Sequence, residues 1–164
     1  MISNFNLILT LSRVSNLPTV WTNCLAAWAI NQSVEKILGQ TPAWHQPGSL
    51  DWGIFGWLIM GASFVYAGGC VLNDAFDHEF DLKYNPERPI PSGEIKVLNV
   101  WILGGLFLLI GGLILFGMAS CSLTLVTCLI GAVILYDWLH KKWVGSVWIM
   151  GSCRTFLWCM AASA

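Results

Sequence analysis

Residues 52–81 read WGIFGWLIMGASFVYAGGCVLNDAFDHEFD, an apolar run that ends in a cluster of acids. No residue between Asp51 and Asp74 is charged. Residues 52–72 are therefore long enough to cross a hydrocarbon core of about 30 Å as one helix. The next nine residues hold four acidic side chains and one amide. This stretch predicts a membrane-spanning helix with concentrated negative charge at its end.

The composition of the whole chain agrees with a membrane location. Of its 164 residues, 56% are hydrophobic and 10% are charged. A soluble domain usually carries about a quarter charged residues, so we predict an integral membrane protein in contact with the lipid bilayer. The bases form no continuous face, and nucleic acid is not an expected partner. The six cysteines form no C-x-x-C pair, which favours packing roles over disulfides or metal binding.

Five apolar segments predict an all-α, polytopic membrane helical bundle that forms a single domain over residues 1–164. The predicted spans are residues 14–34, 52–72, 97–119, 123–138 and 144–164. Residues 97–136 contain no charge and are too long for one span, so a turn is predicted at residues 120–122. The first charge of the chain is Arg13, and no basic region precedes it. A retained anchor is therefore expected rather than a cleaved signal.

The distribution of bases predicts how the bundle is oriented. With five spans, six bases fall on one membrane face and Lys36 falls on the other. The six are Arg13, Lys83, Arg88, Lys96, Lys141 and Lys142. Cytoplasmic loops carry an excess of Lys and Arg. The acidic segment and the 137–142 loop are therefore predicted to face the cytoplasm, or the equivalent side of an organelle.

The acids after the second span share one helical face. At about 100° per residue, Asp74, Asp77 and Asp81 fall within roughly 60° of one another, and Asn73 joins them. Mg²⁺ typically takes one or two protein carboxylates together with waters and phosphate oxygens. We therefore interpret these four residues as a candidate Mg²⁺ site. The alternative is a solvated acidic helix end that faces a basic partner.

Two arginines are candidates for a role in binding. Arg88 lies in a proline-rich segment, and its planar fork suits diphosphate oxygens; alternatively, it only sets the topology. Arg154 lies about ten residues into the fifth span, where a charge is costly, so it is expected to face the bundle interior. Its alternative is a position near the interface, with the side chain reaching water. His78 and His140 are expected to be ordinary loop residues.

These residues together resemble a known pattern. The sequence Asn73-Asp74-x-x-Asp77-x-x-x-Asp81, followed by RPIPSG at residues 88–93, resembles the first aspartate-rich motif and following loop of the UbiA family of intramembrane prenyltransferases. Weaker agreement comes from residues spread along the chain: Arg13, Asn16, Tyr136, Lys141 and Arg154. The stretches SRVSNLPT at 12–19 and GSCR at 151–154 are also similar to a UbiA-like subgroup called EboC.

The resemblance implies a helical bundle of about nine spans, of which this chain holds the first five, with a cavity roofed by cytoplasmic loops. It implies that Mg²⁺ bridges the aspartates to a prenyl diphosphate. The metal and nearby bases would then stabilise the departing diphosphate while an unknown acceptor attacks the allylic carbon.

The resemblance also assigns roles to particular residues. The implied metal ligands are Asn73, Asp74, Asp77 and Asp81. The implied catalytic residues are Asp74, Asp77, Arg88 and Lys141. The implied substrate-binding residues are Asn73, Arg88, Tyr136, Lys141, Arg154, Arg13 and Asn16.

The chain departs from the family pattern in one respect. Family members carry a second aspartate-rich motif, whereas Asp137 is the only acid after Glu94 here. The chain is therefore expected to be the first half of a longer bundle or a truncated product, and to be inactive by itself. Two other functions stay open: a catalytically inactive membrane fragment, and a component of ion or proton transport, since acids in membranes often mark ion pathways.

Overall fold

The computed structural model of the chain describes residues 4–37 and 51–164. Over these residues the chain forms seven α-helices and one short 3-10 turn at Val14–Asn16. The helices are α1 (Asn4–Leu11), α2 (Leu17–Ile37), α3 (Trp52–Phe76), α4 (His78–Tyr84), α5 (Val97–Gly117), α6 (Leu123–Leu139) and α7 (Ser146–Ala162). Residues 38–50, most of the polar segment between the first two predicted spans, and the side chain of Lys36 lie outside the described residues.

The five long helices α2, α3, α5, α6 and α7 correspond to the five predicted spans, and the prediction of an all-helical bundle is confirmed. Two of them, α3 and α5, are by themselves long and apolar enough to cross a membrane, with mean hydropathies of 1.7 and 2.4. Helix α6 is apolar but shorter. The predicted turn at residues 120–122 is confirmed, because it separates the end of α5 from the start of α6.

Helix α3 is the central element and packs against α2, α5 and α6. Its contact with α5 depends on glycine. A Cβ atom at Gly111 would lie 2.8 Å from the backbone nitrogen of Val65, and one at Gly68 would lie 3.0 Å from the backbone nitrogen of Leu108. Small residues let helix backbones approach closely where no water drives association. The glycines therefore set the distance between α3 and α5.

The acidic cluster spans a junction between two helices, so the expectation of one continuous helix is corrected. Helix α3 ends at Phe76 and α4 starts at His78. The helical winding nevertheless continues across Asp77. Its N–H donates to the carbonyl of Asn73 at 3.0 Å, and its own carbonyl accepts from the N–H of Asp81 at 2.8 Å. The acids therefore stay together at the end of α3.

The connecting segments at residues 12–16, 77–96 and 140–145 gather at one end of the bundle. Three contacts across these segments establish this. Arg13 and Arg88 lie 3.3 Å and 3.5 Å from the same oxygen of Asp74, and Lys141 lies 3.5 Å from Asp77. The segments predicted to share one membrane face therefore do lie together. Which compartment that face meets stays a prediction.

Two of the six cysteines are packing residues of the core. All six are free thiols. Cys24 and Cys121 belong to the apolar core between the long helices, together with Leu58, Leu115 and Met160. Burial raises the pKa of Cys121, in the turn after α5, to about 12. Its thiol therefore stays protonated and unreactive at neutral pH.

Candidate functional site

A cleft of about 430 Å³ opens at the end of the bundle where the connecting segments meet. Helices α3, α6 and α7 supply most of its walls. Apolar residues line the part further from the acids, among them Val65, Gly69, Val133 and Met150. Charged and polar side chains line the part near the end of α3. The cleft therefore joins an apolar compartment to a polar one.

Two arginines converge on one oxygen of the acidic motif. Arg13 Nη2 lies 3.3 Å from Oδ1 of Asp74, and Arg88 Nη1 lies 3.5 Å from the same atom. Both arginines also line the cleft. These residues come from three separate segments, so the fold assembles a pair of guanidinium groups around one carboxylate.

Asp81 anchors the segment that carries Arg88. Its side chain is almost fully buried, with 2% exposed. Asn85 donates to Oδ1 at 2.7 Å, and Arg88 donates to Oδ2 at 2.7 Å. Both carboxylate oxygens therefore have partners within the motif and its loop. Asp81 does not line the cleft, and its visible role is to orient Arg88.

Asp77 faces a different set of bases. It is 4% exposed. Its Oδ1 lies 3.1 Å from Nε2 of His140, and its Oδ2 lies 3.5 Å from Nζ of Lys141. The Lys141 ammonium also lies 4.2 Å from the centre of the Phe80 ring. The acids of the motif therefore face two separate groups of bases, one around Asp74 and one around Asp77.

His140 belongs to the cleft, which corrects the expectation of an ordinary loop residue. It caps the end of α6, and its ring stacks on Tyr136 with centroids 5.3 Å apart. Its Nδ1 lies 3.0 Å from the carbonyl oxygen of Asp137, while Nε2 faces Asp77. Both ring nitrogens thus face oxygen atoms. The i, i+4 spacing from Tyr136 was the sequence signal that could have linked the two rings.

Asp137 also belongs to the cleft, although the sequence predicted it in a polar loop. It lies in the last turn of α6 and is 5% exposed. Asn73 Nδ2 donates to its Oδ1 at 3.2 Å. Its Oδ2 is buried and has no hydrogen-bond partner among the described residues. A buried carboxyl oxygen without a partner costs free energy, so Asp137 lowers the stability of the fold at this position.

The structure brings most of the other predicted site residues together. Tyr136, Lys141, Arg13 and Asn73 line the cleft. Asn16 does not line the cleft; it is exposed and lines a neighbouring surface depression together with Arg13.

Arg154 lies apart from the other candidate site residues. It is exposed on α7 and does not line the cleft. The physical reason is rotation about the axis of α7. Cys153 lines the cleft, and the next residue is turned by about 100° away from it. Its placement toward the interior of a longer bundle stays a prediction.

The oxygen donors near the end of α3 suit a metal ion only in combination with a phosphate ligand. Among residues 4–37 and 51–164, no group of three or more His, Cys, Asp and Glu side chains could hold a metal ion. Mg²⁺ needs only one or two carboxylates when phosphate oxygens and water complete its shell. Asp74, Asp77 and the Asn73 carbonyl supply such hard oxygen donors beside the cleft. The residues therefore fit Mg²⁺ that is held jointly with a phosphate ligand.

Known proteins resemble this chain over limited lengths. It is 31% identical over 86 residues to digeranylgeranylglyceryl phosphate synthase from Methanobrevibacter smithii, covering 51% of this chain and 30% of the relative. It is 35% identical over 78 residues to 4-hydroxybenzoate octaprenyltransferase from Photobacterium profundum, covering 46% of this chain and 26% of the relative. Protoheme IX farnesyltransferase from Francisella tularensis is 29% identical over 83 residues, which cover 49% of this chain and 29% of the relative.

A structural likeness covers nearly the whole chain. A solved structure described as digeranylgeranylglyceryl phosphate synthase in membranes superposes with a TM-score of 0.78 at 23% identity. The superposition covers 98% of this chain and 53% of the other. At this identity the likeness establishes the fold, a helical membrane bundle. This chain thus spans about half the length of that protein.

The profile of the UbiA prenyltransferase family matches residues 37–164, which is most of the chain. This match includes the aspartate-rich motif, the Arg88 loop, and α5 to α7. The chain therefore belongs to the UbiA prenyltransferase family.

Proposed function

We propose that this chain forms the diphosphate-binding part of a Mg²⁺-dependent prenyltransferase, which transfers a prenyl group from a prenyl diphosphate to an acceptor. The observation that carries this proposal is the cleft itself. Three bases line it, together with the acids Asp77 and Asp137, polar side chains and apolar residues. The bases are Arg13, Arg88 and Lys141. The names of the relatives support prenyl transfer as the reaction class.

The two ends of the cleft suit the two ends of this substrate. A prenyl diphosphate has a polyanionic head and an apolar tail. Arg88 can offer parallel N–H donors to the head, whereas Lys141 supplies a compact point charge. Val65, Val133 and Met150 offer apolar surface to the first part of the tail. Apolar walls also exclude water and strengthen the electrostatic interactions near them.

Asn73, Asp74 and Asp77 would hold the metal in this proposal. Bound Mg²⁺ would supply neutralisation of the charge that develops on the departing diphosphate. The carboxylates also keep the bases in place before substrate arrives, since Asp74 orients Arg13 and Arg88.

Binding to the purified protein in lipid nanodiscs tests the proposal. We expect geranylgeranyl diphosphate to bind in the presence of Mg²⁺, and its affinity to fall by more than about tenfold in EDTA or in the variants Asp74→Ala and Asp77→Ala. Glu79→Ala is the matched control, because Glu79 is an exposed acid on the neighbouring α4. Binding that ignores Mg²⁺ and both aspartate substitutions would contradict the proposal.

That contradictory result would favour the inactive membrane fragment or a transport component. Among the described acids, Asp77 and Asp137 line one cleft, and Asp74 lies 3.3 Å from Arg13, which also lines it. This grouping favours a binding site over an ion path. The EboC subgroup, the cytoplasmic orientation and the identity of the acceptor remain predictions.

We further propose that residues 1–164 bind prenyl diphosphate without transferring it. The physical reason is that the family's second acidic motif has no counterpart among the acids of this sequence, since only Asp137 follows Glu94. The check is a radiolabelled prenyl-transfer assay with membrane lipids and aromatic acids as acceptors. Labelled product formed by the purified 164-residue polypeptide would contradict this expectation.

A further inference from the structure

The side-chain amide of Asn73 lies between two groups of opposite hydrogen-bonding character. On one side, Arg13 Nη2 donates to its Oδ1 at 3.4 Å. On the other side, its Nδ2 donates to Oδ1 of Asp137 at 3.2 Å. A guanidinium can only donate, and Oδ1 of Asp137 accepts here from the Asn73 amide. The amide therefore has one orientation that satisfies both neighbours.

We propose that Asp137 is a positioning residue that fixes the Asn73 amide, so that its carbonyl oxygen faces Arg13 and Asp74, where the metal and diphosphate bind. This inference rests on the proposed function for its consequence. In this proposal Asp137 would hold neither the metal nor the diphosphate itself. It acts across the cleft, from α6 to the end of α3.

The cost of burying Asp137 argues that the residue serves this purpose rather than packing. A carboxylate that is 5% exposed, with one oxygen lacking a partner among the described residues, is a poor choice for stability. An apolar residue would fill the same space without that cost. An asparagine would also be cheaper, but its amide can either donate or accept, so only Arg13 would then select the orientation of Asn73. The Oδ1 atom of Asp137 selects the same orientation from the other side.

The position of Asp137 in the fold supports the same conclusion. It lies in the last turn of α6, one residue after Tyr136 and three before His140, which lie beside the same cleft. A side chain outside a metal's own ligands commonly sets the orientation of a ligand, and its loss typically weakens metal affinity by about 10–100-fold.

The first arm of the test observes the amide directly, without metal or substrate. The side-chain ¹H–¹⁵N signals of Asn73 are identified by their loss in Asn73→Asp, with the protein in nanodiscs. We expect these signals to be hydrogen-bonded and slow to exchange with water in the wild type. In Asp137→Ala they should shift toward free-amide positions and exchange faster. Unchanged Asn73 signals in Asp137→Ala would overturn the inference.

The second arm measures the consequence by titrating Mg²⁺ against bound geranylgeranyl diphosphate. Asp137→Ala should raise the half-saturating Mg²⁺ concentration by about tenfold and leave metal-free binding of inorganic pyrophosphate unchanged. Asp137→Asn should give a smaller rise in the half-saturating Mg²⁺ concentration. This variant replaces Asp137→Ala in the test if the alanine variant does not fold. The double variant Asn73→Asp/Asp137→Asn exchanges donor and acceptor, so it should recover Mg²⁺ dependence relative to Asn73→Asp alone.

The outcomes separate this inference from the proposed function. If the wild type shows no Mg²⁺-dependent binding of geranylgeranyl diphosphate, both the proposed function and this inference are wrong. If the wild type binds but Asp137→Ala keeps the same Mg²⁺ dependence, the inference fails and the proposed function stands. An equal loss of metal-free and metal-dependent binding in Asp137→Ala would indicate a structural role and would also overturn it. Glu79→Ala should match the wild type in both arms.

Discussion

Lys141 and Lys142 are adjacent in the chain but have different surroundings. Lys141 lines the cleft and lies 3.5 Å from Asp77. Lys142 points the other way and lies 5.3 Å from the centre of the Trp138 ring. Both side chains carry the same charge. Substituting each one in turn therefore separates the effect of position on ligand binding from the effect of net charge.

We predict that Lys141→Ala weakens binding of a prenyl diphosphate by about tenfold, or about 1.4 kcal/mol, whereas Lys142→Ala leaves it nearly unchanged. The reason is that only the first removes a base from the cleft. Isothermal titration calorimetry in nanodiscs at constant ionic strength measures both. Equal losses in the two variants would mean that binding depends on the overall field of this face and not on the site.

Arg88 and Asp81 form the second test at the residue scale. Arg88→Ala would leave the buried Asp81 carboxylate with Asn85 as its remaining side-chain partner. We predict a loss of about 2 kcal/mol in the free energy of unfolding, and a partial recovery in Asp81→Asn/Arg88→Ala, where the buried charge is gone. Thermal unfolding in detergent reports both. Lys83→Ala, a change in an exposed base on α4, is the control, and a similar loss there would count against the explanation.

At the scale of elements, the close contact between α3 and α5 predicts how a substitution at Gly111 changes the free energy of unfolding. A methyl group at Gly111 would meet the backbone of α3, with the Gly61 carbonyl oxygen at 2.9 Å and the Val65 nitrogen at 2.8 Å. Backbone cannot move aside as a flexible side chain can. Gly111→Ala should therefore lower the free energy of unfolding by about 1–3 kcal/mol.

Gly105 on the same helix provides the matched control. It is exposed, and a Cβ there would meet nothing within 4 Å. Gly105→Ala should leave stability unchanged or raise it by up to about 1 kcal/mol, because alanine favours the helix. Thermal unfolding of the two variants compares them directly. The packing explanation would be wrong if the two substitutions had the same effect.

At the scale of the whole molecule, the gathered connecting segments predict the topology. Ser92 lies in the segment between α4 and the first turn of α5. Met118 follows the last residue of α5, at the other end of that helix. Both residues are exposed. In a protein whose native cysteines are replaced, we expect a membrane-impermeant maleimide to label Met118→Cys in intact cells and Ser92→Cys only after the membrane is opened. The excess of bases near Ser92 is the reason. The reverse labelling pattern would show that the orientation is inverted.

The sequence by itself determined the local features of this protein. The five long helices and the turn at residues 120–122 follow from the length of apolar runs and the charges that end them. The spacing of Asn73, Asp74 and Asp77 placed them together at the end of α3, because neighbours along one helix are close whatever else the chain does. The loop that carries Arg88 was also readable, since Asp81 and Arg88 are only seven residues apart.

Only the tertiary structure decided which residues meet across helices. Asp137 faces Asn73 and His140 faces Asp77, although more than sixty residues separate each pair. Arg154 is exposed while its neighbour Cys153 lines the cleft. These outcomes depend on how far α6 and α7 are rotated about their axes relative to α3. That rotation is set by the packing of whole helical faces, which no local pattern of residues records.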